Sequence, residues 1–307
     1  MRYGVPYTGS KNGIAKWVID NLPRAKNFVD VFAGGCAITH AALLSGKYEN
    51  FIANDLSPAP QLFLDAIHGK YRNEKRWISR EDFFRLKDTD AYVKYCFSFG
   101  NNGTNYAYGK SEKRKEALHY AIVFDDWERF DEILPDFSDV YKRAVDCMTD
   151  ITERRHKICS FLQKARVQNL ERVQNLQALQ NLQALQNLQA LTISKSDYRR
   201  ILIPQDAVIY CDPPYKGTDC RYGYSIDYEE FYIWCKRQTE LVVVSEYDMP
   251  KDFIRVAKTD KRILSAQNKT IARKEEGLYV PRAQEVMYWR MMGDESMNEF
   301  YERMSAK

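Results

Sequence analysis

Asp212, Pro213, Pro214 and Tyr215 follow three β-favouring residues, Val208, Ile209 and Tyr210, with Cys211 between. An acid, two prolines and an aromatic in that order make a loop that cannot relax. Each proline fixes φ at roughly −65° and removes an amide donor, and the residue before each proline is held extended. The Asp212 carboxylate and the carbonyls beside it therefore point where the backbone dictates, with an aromatic face nearby. That arrangement suits the reception of something flat that bears an amino group. A second set of residues lies earlier in the chain. Gly34 and Gly35 follow an apolar run; glycines there allow close backbone approach by a cofactor, and the helix start behind them offers free amides. A tight β–α turn would ask for the same glycines. Asp55 closes the next apolar run, in the usual place for an acid that takes ribose hydroxyls, although a solvated turn also favours Asp.

The elements that must position these groups are short and apolar. "NFVDVFAGGCAITHAALLSG" begins as a strand over 28–32, passes through Gly34-Gly35 and continues as a helix over 37–44. "NFIANDLS" gives a strand over 51–53, "LTISKSDYRRI" a strand ending at Asp197, and "DAVIYCDPPY" the next. "TELVVVSEYD" is apolar throughout 241–244. Unalternating runs of this kind suit strands covered on both faces of a parallel sheet. "DYEEFYIWCKRQ" reads as a crossover helix, so the fold class is α/β, a doubly wound Rossmann-like sheet. Ligands of such sheets bind beyond the carboxyl ends of the strands. Here those ends carry Gly34, Asp55, Asp197 and Asp212.

Residues 67–187 break the alternation. They are rich in aromatic and basic residues and read as an inserted, mostly helical region, with 1–66 and 188–307 forming the sheet domain. The insertion runs into a low-complexity tract over 168–191 built on the unit QNLQAL. Its composition favours helix, yet an apolar residue at every third position winds around the whole α-helix; stacked solenoid-like turns or a plain spacer remain open.

The bulk composition excludes more than it specifies. A chain of 307 residues with 45% hydrophobic and 29% charged residues is ordinary for a globular protein, and a net charge of +4 is mild. The seven cysteines form no C-x-x-C pair, so no structural zinc is expected, and reduced core thiols in a cytoplasmic protein account for them. His40, His68, His119 and His156 match no triad or metal spacing. "MRYGVPYTGS" lacks the apolar core of a signal peptide, and no apolar run reaches membrane-spanning length.

Taken jointly, these motifs resemble the N6-adenine DNA methyltransferases of the DNA adenine methyltransferase family. The resemblance covers most of the chain. An early W-x-G-x-K-like segment is present as Tyr7-Thr8-Gly9-Ser10-Lys11, and the F-x-G-x-G loop as Phe32-Ala33-Gly34-Gly35-Cys36. Asp55 matches the acid of the second strand, Asp197-Tyr198 the D-[FY] pair, and D-P-P-Y stands intact at 212–215. Tyr7 replaces a frequent Trp, and Cys36 replaces the last glycine, which leaves the geometry of that loop open.

The resemblance implies S-adenosylmethionine as cofactor, no metal, and double-stranded DNA as partner. Asp55 would hold the ribose hydroxyls and Asp197 the adenine amino group, with Tyr7, Lys11, Phe32, Gly34 and Tyr198 completing the cofactor site. Asp212 and the Pro213 carbonyl would accept the two hydrogens of the target amine, Pro214 would stiffen the loop, and Tyr215 would stack on a flipped base. "FGNNGTNYAYGK" resembles a family segment beside the recognition region. Asn101, Asn102, Asn105 and Tyr106 there, with Lys110, Lys113 and Arg114, are candidate DNA contacts, although an Asn/Gly turn and solvated lysines explain them as well. The same amine chemistry would serve a cytosine-N4 methyltransferase, and a catalytically silent DNA-binding module with this fold is the alternative from another class. The target sequence and any companion nuclease are not legible.

Overall fold

The computed structural model describes residues 3–109, 112–135, 190–215, 226–264 and 271–293, with the single positions 142, 179 and 182. The chain divides into two compact units. Met1–Gly4, Gly9–Leu64 and Asn187–Lys307 form the first; Val5–Thr8 and Asp65–Gln186 form the second.

The first unit is built on one sheet. Its strands are β1 (Asn27–Asp30), β2 (Asn50–Asn54), β3 (Leu191–Ser194), β4 (Ala207–Cys211), β5 (Leu241–Glu246), β6 (Phe253–Leu264) and β7 (Ile271–Pro281), in the spatial order β3-β2-β1-β4-β5-β7-β6. The first five run parallel, with Phe28 level with Phe51 on one side and Val208 on the other. The apolar runs read from the sequence are therefore the parallel strands expected. The antiparallel β6–β7 hairpin at one edge is an addition to that pattern.

Helix α1 (Ala15–Asp20) precedes β1, α2 (Ala37–Ser45) links β1 to β2, and α3 (Ala59–Ile67) follows β2. The helix between β4 and β5, which we number α8 (Tyr228–Arg237), starts well because Asp227 accepts hydrogen bonds from the amides of Glu229 and Glu230. Acids in its first turn and Lys236 and Arg237 in its last complement the helix dipole. Its inner face delivers Phe231, Tyr232 and Cys235 onto Ile209, Cys211, Val242 and Val244. Burying a side chain such as Phe231 contributes about 2–3 kcal/mol. A final helix, α9 (Glu285–Met292), closes the unit.

The second unit is helical among its described residues, apart from one isolated bridge between Ser98 and Tyr106. Its helices are α4 (Arg80–Leu86), α5 (Ala91–Cys96), α6 (Glu112–Phe124) and α7 (Trp127–Ile133). Ser79, Asp90 and Asp126 cap α4, α5 and α7 through their side chains. Phe83, Tyr92, Phe97, Tyr106 and Tyr108 fill its core, which explains the aromatic content of this stretch. Nearly all of the QNLQAL tract lies outside the described residues. Among the described residues no helix is long and apolar enough to cross a membrane.

Candidate active site

The sheet order reverses between β1 and β4, the switch point beside whose carboxyl ends ligands of such sheets bind. The loop after β1 is held from several sides. Val31 donates its amide to the Tyr210 carbonyl at 2.9 Å, and Ala33 to the Asn54 carbonyl at 2.8 Å. The Asn54 side chain reaches the Val31 carbonyl at 3.0 Å and the Ser196 carbonyl at 2.9 Å, joining the loops after β1 and β3. Cys36 adopts the left-handed conformation, φ 58° and ψ 32°, so the position keeps the backbone a glycine would favour and carries the strain of a side chain. Gly4 lies against this loop: a Cβ there would sit 2.2 Å from the Gly35 carbonyl oxygen. Its amide donates to Nδ1 of His40 at 3.0 Å, so this buried histidine is a neutral acceptor; burial pushes its pKa down to about 4.

Carboxylates line the strand ends. The Asp55 carboxylate accepts from the Gly34 amide at 2.8 Å through one oxygen and from the Ser57 amide at 2.8 Å through the other. Burial raises its pKa, and these bonds pull it back. Each oxygen keeps further acceptor capacity for hydroxyl donors. Asp30 is buried, with one oxygen accepting from the Thr39 hydroxyl at 2.7 Å and the other without a hydrogen-bond partner among the described residues. Burial above all, with the charges of Asp212 and Asp55, pushes its pKa up to about 7 against the Thr39 bond. Asp197 is clamped by Arg199, whose guanidinium donates to its two oxygens at 2.7 and 2.6 Å and to Glu230 at 3.0 and 2.9 Å. The Arg199 bond holds Asp197 below the ordinary carboxylate range.

After β4 the rigid Asp212-Pro213-Pro214-Tyr215 loop carries a buried charge cluster. The Lys11 ammonium lies 2.9 Å from Asp212 and 3.3 Å from Glu276 on β7, with side-chain exposures of 5%, 18% and 0%. Burial alone would lower the Lys11 pKa; the two carboxylates outweigh it and hold Lys11 above the ordinary lysine value. The Tyr215 hydroxyl accepts from Lys11 and donates to Glu276, which also accepts from the Ser245 hydroxyl at 2.8 Å. Burial, then the charges of Asp212 and Glu276, pushes the Tyr215 phenol far up, so it stays protonated. The Tyr228 hydroxyl donates to the Pro214 carbonyl. Prolines set the loop's backbone, and these bonds tie both of its ends.

Lys11, Gly34, Phe32, Asp55, Asp197, Tyr198, Asp212, Pro213, Pro214 and Tyr215 thus all belong to the first unit. Phe32 packs its ring 5.7 Å from both Tyr198 and Phe231. The Lys11 ammonium lies between Asp212 and Glu276. Tyr7 belongs to the second unit and packs on Tyr95 at 5.4 Å.

In the Asn-rich stretch the side chains serve the turn itself. Asn101 donates to the Tyr95 carbonyl at 2.7 Å, and Asn102 accepts from the amides of Thr104 at 2.9 Å and Asn105 at 3.1 Å. The Asn105 carbonyl accepts from Phe99 at 2.6 Å. Tyr106 is buried, its hydroxyl 2.7 Å from the Ile78 carbonyl and 2.8 Å from Glu112. Lys113 is exposed on α6 and Arg114 half-buried; Lys110 lies outside the described residues.

Sequence reasoning missed Glu276, Ser245, Tyr228 and Asn54. The one usable signal was an acid, Glu276, placed at the start of the apolar run "GLYV".

Acceptor carboxylates beyond β2 and β3, Asp55 and Asp197, match a ligand that offers ribose hydroxyls and an amino group, so the residues present fit S-adenosylmethionine. Among the described residues no cluster of His, Cys, Asp and Glu could hold a metal ion. No curated protein sequence matches the chain. A family model does, over residues 7–233, which include every motif from Tyr7 to Tyr215 and more than half of the chain. With its glycine loop, strand-end acids and intact D-P-P-Y on a mostly parallel sheet, the chain belongs to the D12 class N6 adenine-specific DNA methyltransferases.

Proposed function

We propose that the protein methylates N6 of an adenine flipped out of double-stranded DNA, with Asp212 and the Pro213 carbonyl as the acceptors for the target amine. Family membership supplies the reaction class, the DNA substrate and the cofactor. S-adenosylmethionine brings an electrophilic methyl group on a sulfonium sulfur. The exocyclic amine is a poor nucleophile because its lone pair is delocalised into the ring. Two fixed acceptors for its hydrogens favour a pyramidal nitrogen with a directed lone pair, and they stabilise the positive charge that develops there. The nitrogen forms its bond to the methyl carbon, the carbon–sulfur electrons remain on sulfur, and one amine proton leaves by way of Asp212.

The single observation that carries this reading is the Lys11–Asp212 ion pair at 2.9 Å at the root of the two-proline loop. It fixes the carboxylate beside a cation and sets its direction. We assign Asp55 to the ribose hydroxyls, Asp197 to the cofactor's adenine amine, and Phe32, Gly34, Tyr198 and Lys11 to the surrounding wall. Residues 67–187 we assign to target recognition, with Tyr7 at its margin, and the reaction to the cytoplasm. Flipping costs roughly a few kcal/mol, which the ring of Tyr215 offsets by stacking. The test compares methyl transfer to duplex DNA, single-stranded DNA and RNA of the same sequence. Preferential labelling of the duplex supports the reading, and preference for RNA overturns it.

A further inference from the structure

We infer that Glu276 is a positioning residue of the methyl-transfer site, one that holds Lys11 and the ring of Tyr215 in the places from which Asp212 and the stacking face work. Glu276 lies outside the residues 7–233 that match the family model. It belongs to the β6–β7 hairpin, the part of the sheet that the motifs did not announce.

The argument rests on burial and connectivity. Glu276 has no exposed surface, and a carboxylate so placed persists only with a partner of opposite charge and with donors to its oxygens. Its partners gather on one oxygen, Oε1: Lys11 at 3.3 Å, and the hydroxyls of Tyr215 and Ser245, which donate to it. Ser245 fixes Glu276 from the neighbouring strand β5, so the acid is a rigid post on the sheet. Tyr215 is the last residue of the D-P-P-Y loop. Its backbone follows two prolines, but a side chain still turns about two torsions. The hydroxyl, accepting from Lys11 and donating to Glu276, removes that freedom. The ring of Tyr247 meets it edge-on at 4.5 Å and limits it from the side.

Glu276 also divides the single ammonium. Lys11 is the cation of a cluster with two acids, Asp212 and Glu276. Without Glu276 the ammonium would move fully onto Asp212 and occupy acceptor positions the target amine needs. Glu276 touches neither target nor cofactor in this scheme; it acts through Lys11 and Tyr215. The inference rests on the assignment of Asp212 and Tyr215 to the target amine.

The test is steady-state methyl transfer to duplex DNA for the parent, Glu276→Gln, Tyr215→Phe, their double variant, and Asp212→Asn. Glutamine is close in shape and still accepts from Tyr215 and Ser245, but it releases the ammonium. The expected result for Glu276→Gln is a kcat lower by on the order of tenfold or more, with KM for the cofactor within about twofold and a thermal midpoint no lower than that of Asp212→Asn. Because both residues act through one linkage, the double variant should lose little beyond the worse single variant rather than the product of the two losses. A parental kcat in Glu276→Gln, multiplying losses, or a thermal midpoint well below that of Asp212→Asn would overturn the inference. If Glu276→Gln fails to fold, Tyr215→Phe decides: it removes only the bridging hydroxyl, and parental kcat there overturns the inference too. Asp212→Asn separates the two levels, since full activity in that variant removes the target-amine reading itself, whatever Glu276 does.

Discussion

Replacing Lys11 by Met should damage the fold more than replacing Asp212 by Asn, although Asp212 is the residue assigned to the chemistry. At an effective dielectric constant of about 20, a unit charge pair at 2.9 Å attracts with a gross energy of about 6 kcal/mol, and one at 3.3 Å with about 5 kcal/mol. Most of each is offset by the desolvation of the charges. Lys11→Met takes away the cation that Asp212 and Glu276 share. Breaking a buried pair in this way costs about 3–5 kcal/mol. Asp212→Asn leaves Lys11 paired with Glu276 and removes the repulsion between the acids, so its cost is that of one charged hydrogen bond, about 1–3 kcal/mol. Asp212→Asn should nevertheless abolish methyl transfer while the cofactor still binds, because Asp55 and Asp197 are untouched. The assay is urea unfolding of parent and both variants at pH 7 and pH 5. Protonation relieves the repulsion between the two carboxylates that Lys11 had bridged, so the Lys11→Met deficit should shrink at the lower pH. Equal stability of the two variants, the reverse order, or a deficit that stays the same at pH 5 would refute the reasoning.

Three further outcomes follow from individual contacts. His40 is buried as a neutral acceptor for the Gly4 amide, with its pKa lowered from 6.5 to about 4. Its neutral form therefore contributes fully above pH 6.5, and the contribution is lost as the pH falls towards 4. The stability of the parent relative to His40→Gln should drop by about 3 kcal/mol between pH 7 and pH 4; a difference independent of pH would show that His40 is not held neutral. Cys36→Gly should be close to neutral in thermal stability, because relief of the left-handed strain, about 1–2 kcal/mol, opposes a glycine entropy cost of about 0.5–1 kcal/mol and the loss of a small buried side chain. A fall of many degrees would mean the thiol has a role in packing beyond this. Lys113→Glu should weaken DNA binding and lower the slope of log affinity against log salt by about 1 or more, with cofactor affinity unchanged; an unaltered slope would leave Lys113 a solvated residue.

The parallel strands were legible because burial on both faces leaves apolar runs: "VIYC" and "LVVV" became strands of the sheet, and "FVDVF" supplied β1 although Asp30 interrupts it. The acids at their ends were legible for the same reason, since a charged residue stopping such a run must lie at the rim. What could not be read was partnership. Lys11 and Asp212 are about two hundred residues apart, and nothing local to Glu276 says that it faces them. The β6–β7 hairpin carries the charged runs KTDKR and RKEE and no chemical motif, so the acid at the end of the second run looked like one more surface charge. The Asn-rich segment shows the opposite case. Its Asn, Gly and Tyr residues suggested contacts to DNA, yet Asn101, Asn102 and Tyr106 spend their hydrogen bonds inside the turn and its core. Short polar side chains bond to nearby backbone whenever a turn allows it, and sequence cannot separate that use from recognition.

The most direct measurement is transfer from labelled S-adenosylmethionine to unmethylated duplex DNA, followed by digestion to nucleosides and mass analysis. The account predicts N6-methyladenine as the labelled nucleoside with the parent protein, and none with Asp212→Asn at equal cofactor occupancy. Labelled N4-methylcytosine, or N6-methyladenine formed equally by Asp212→Asn, would contradict it.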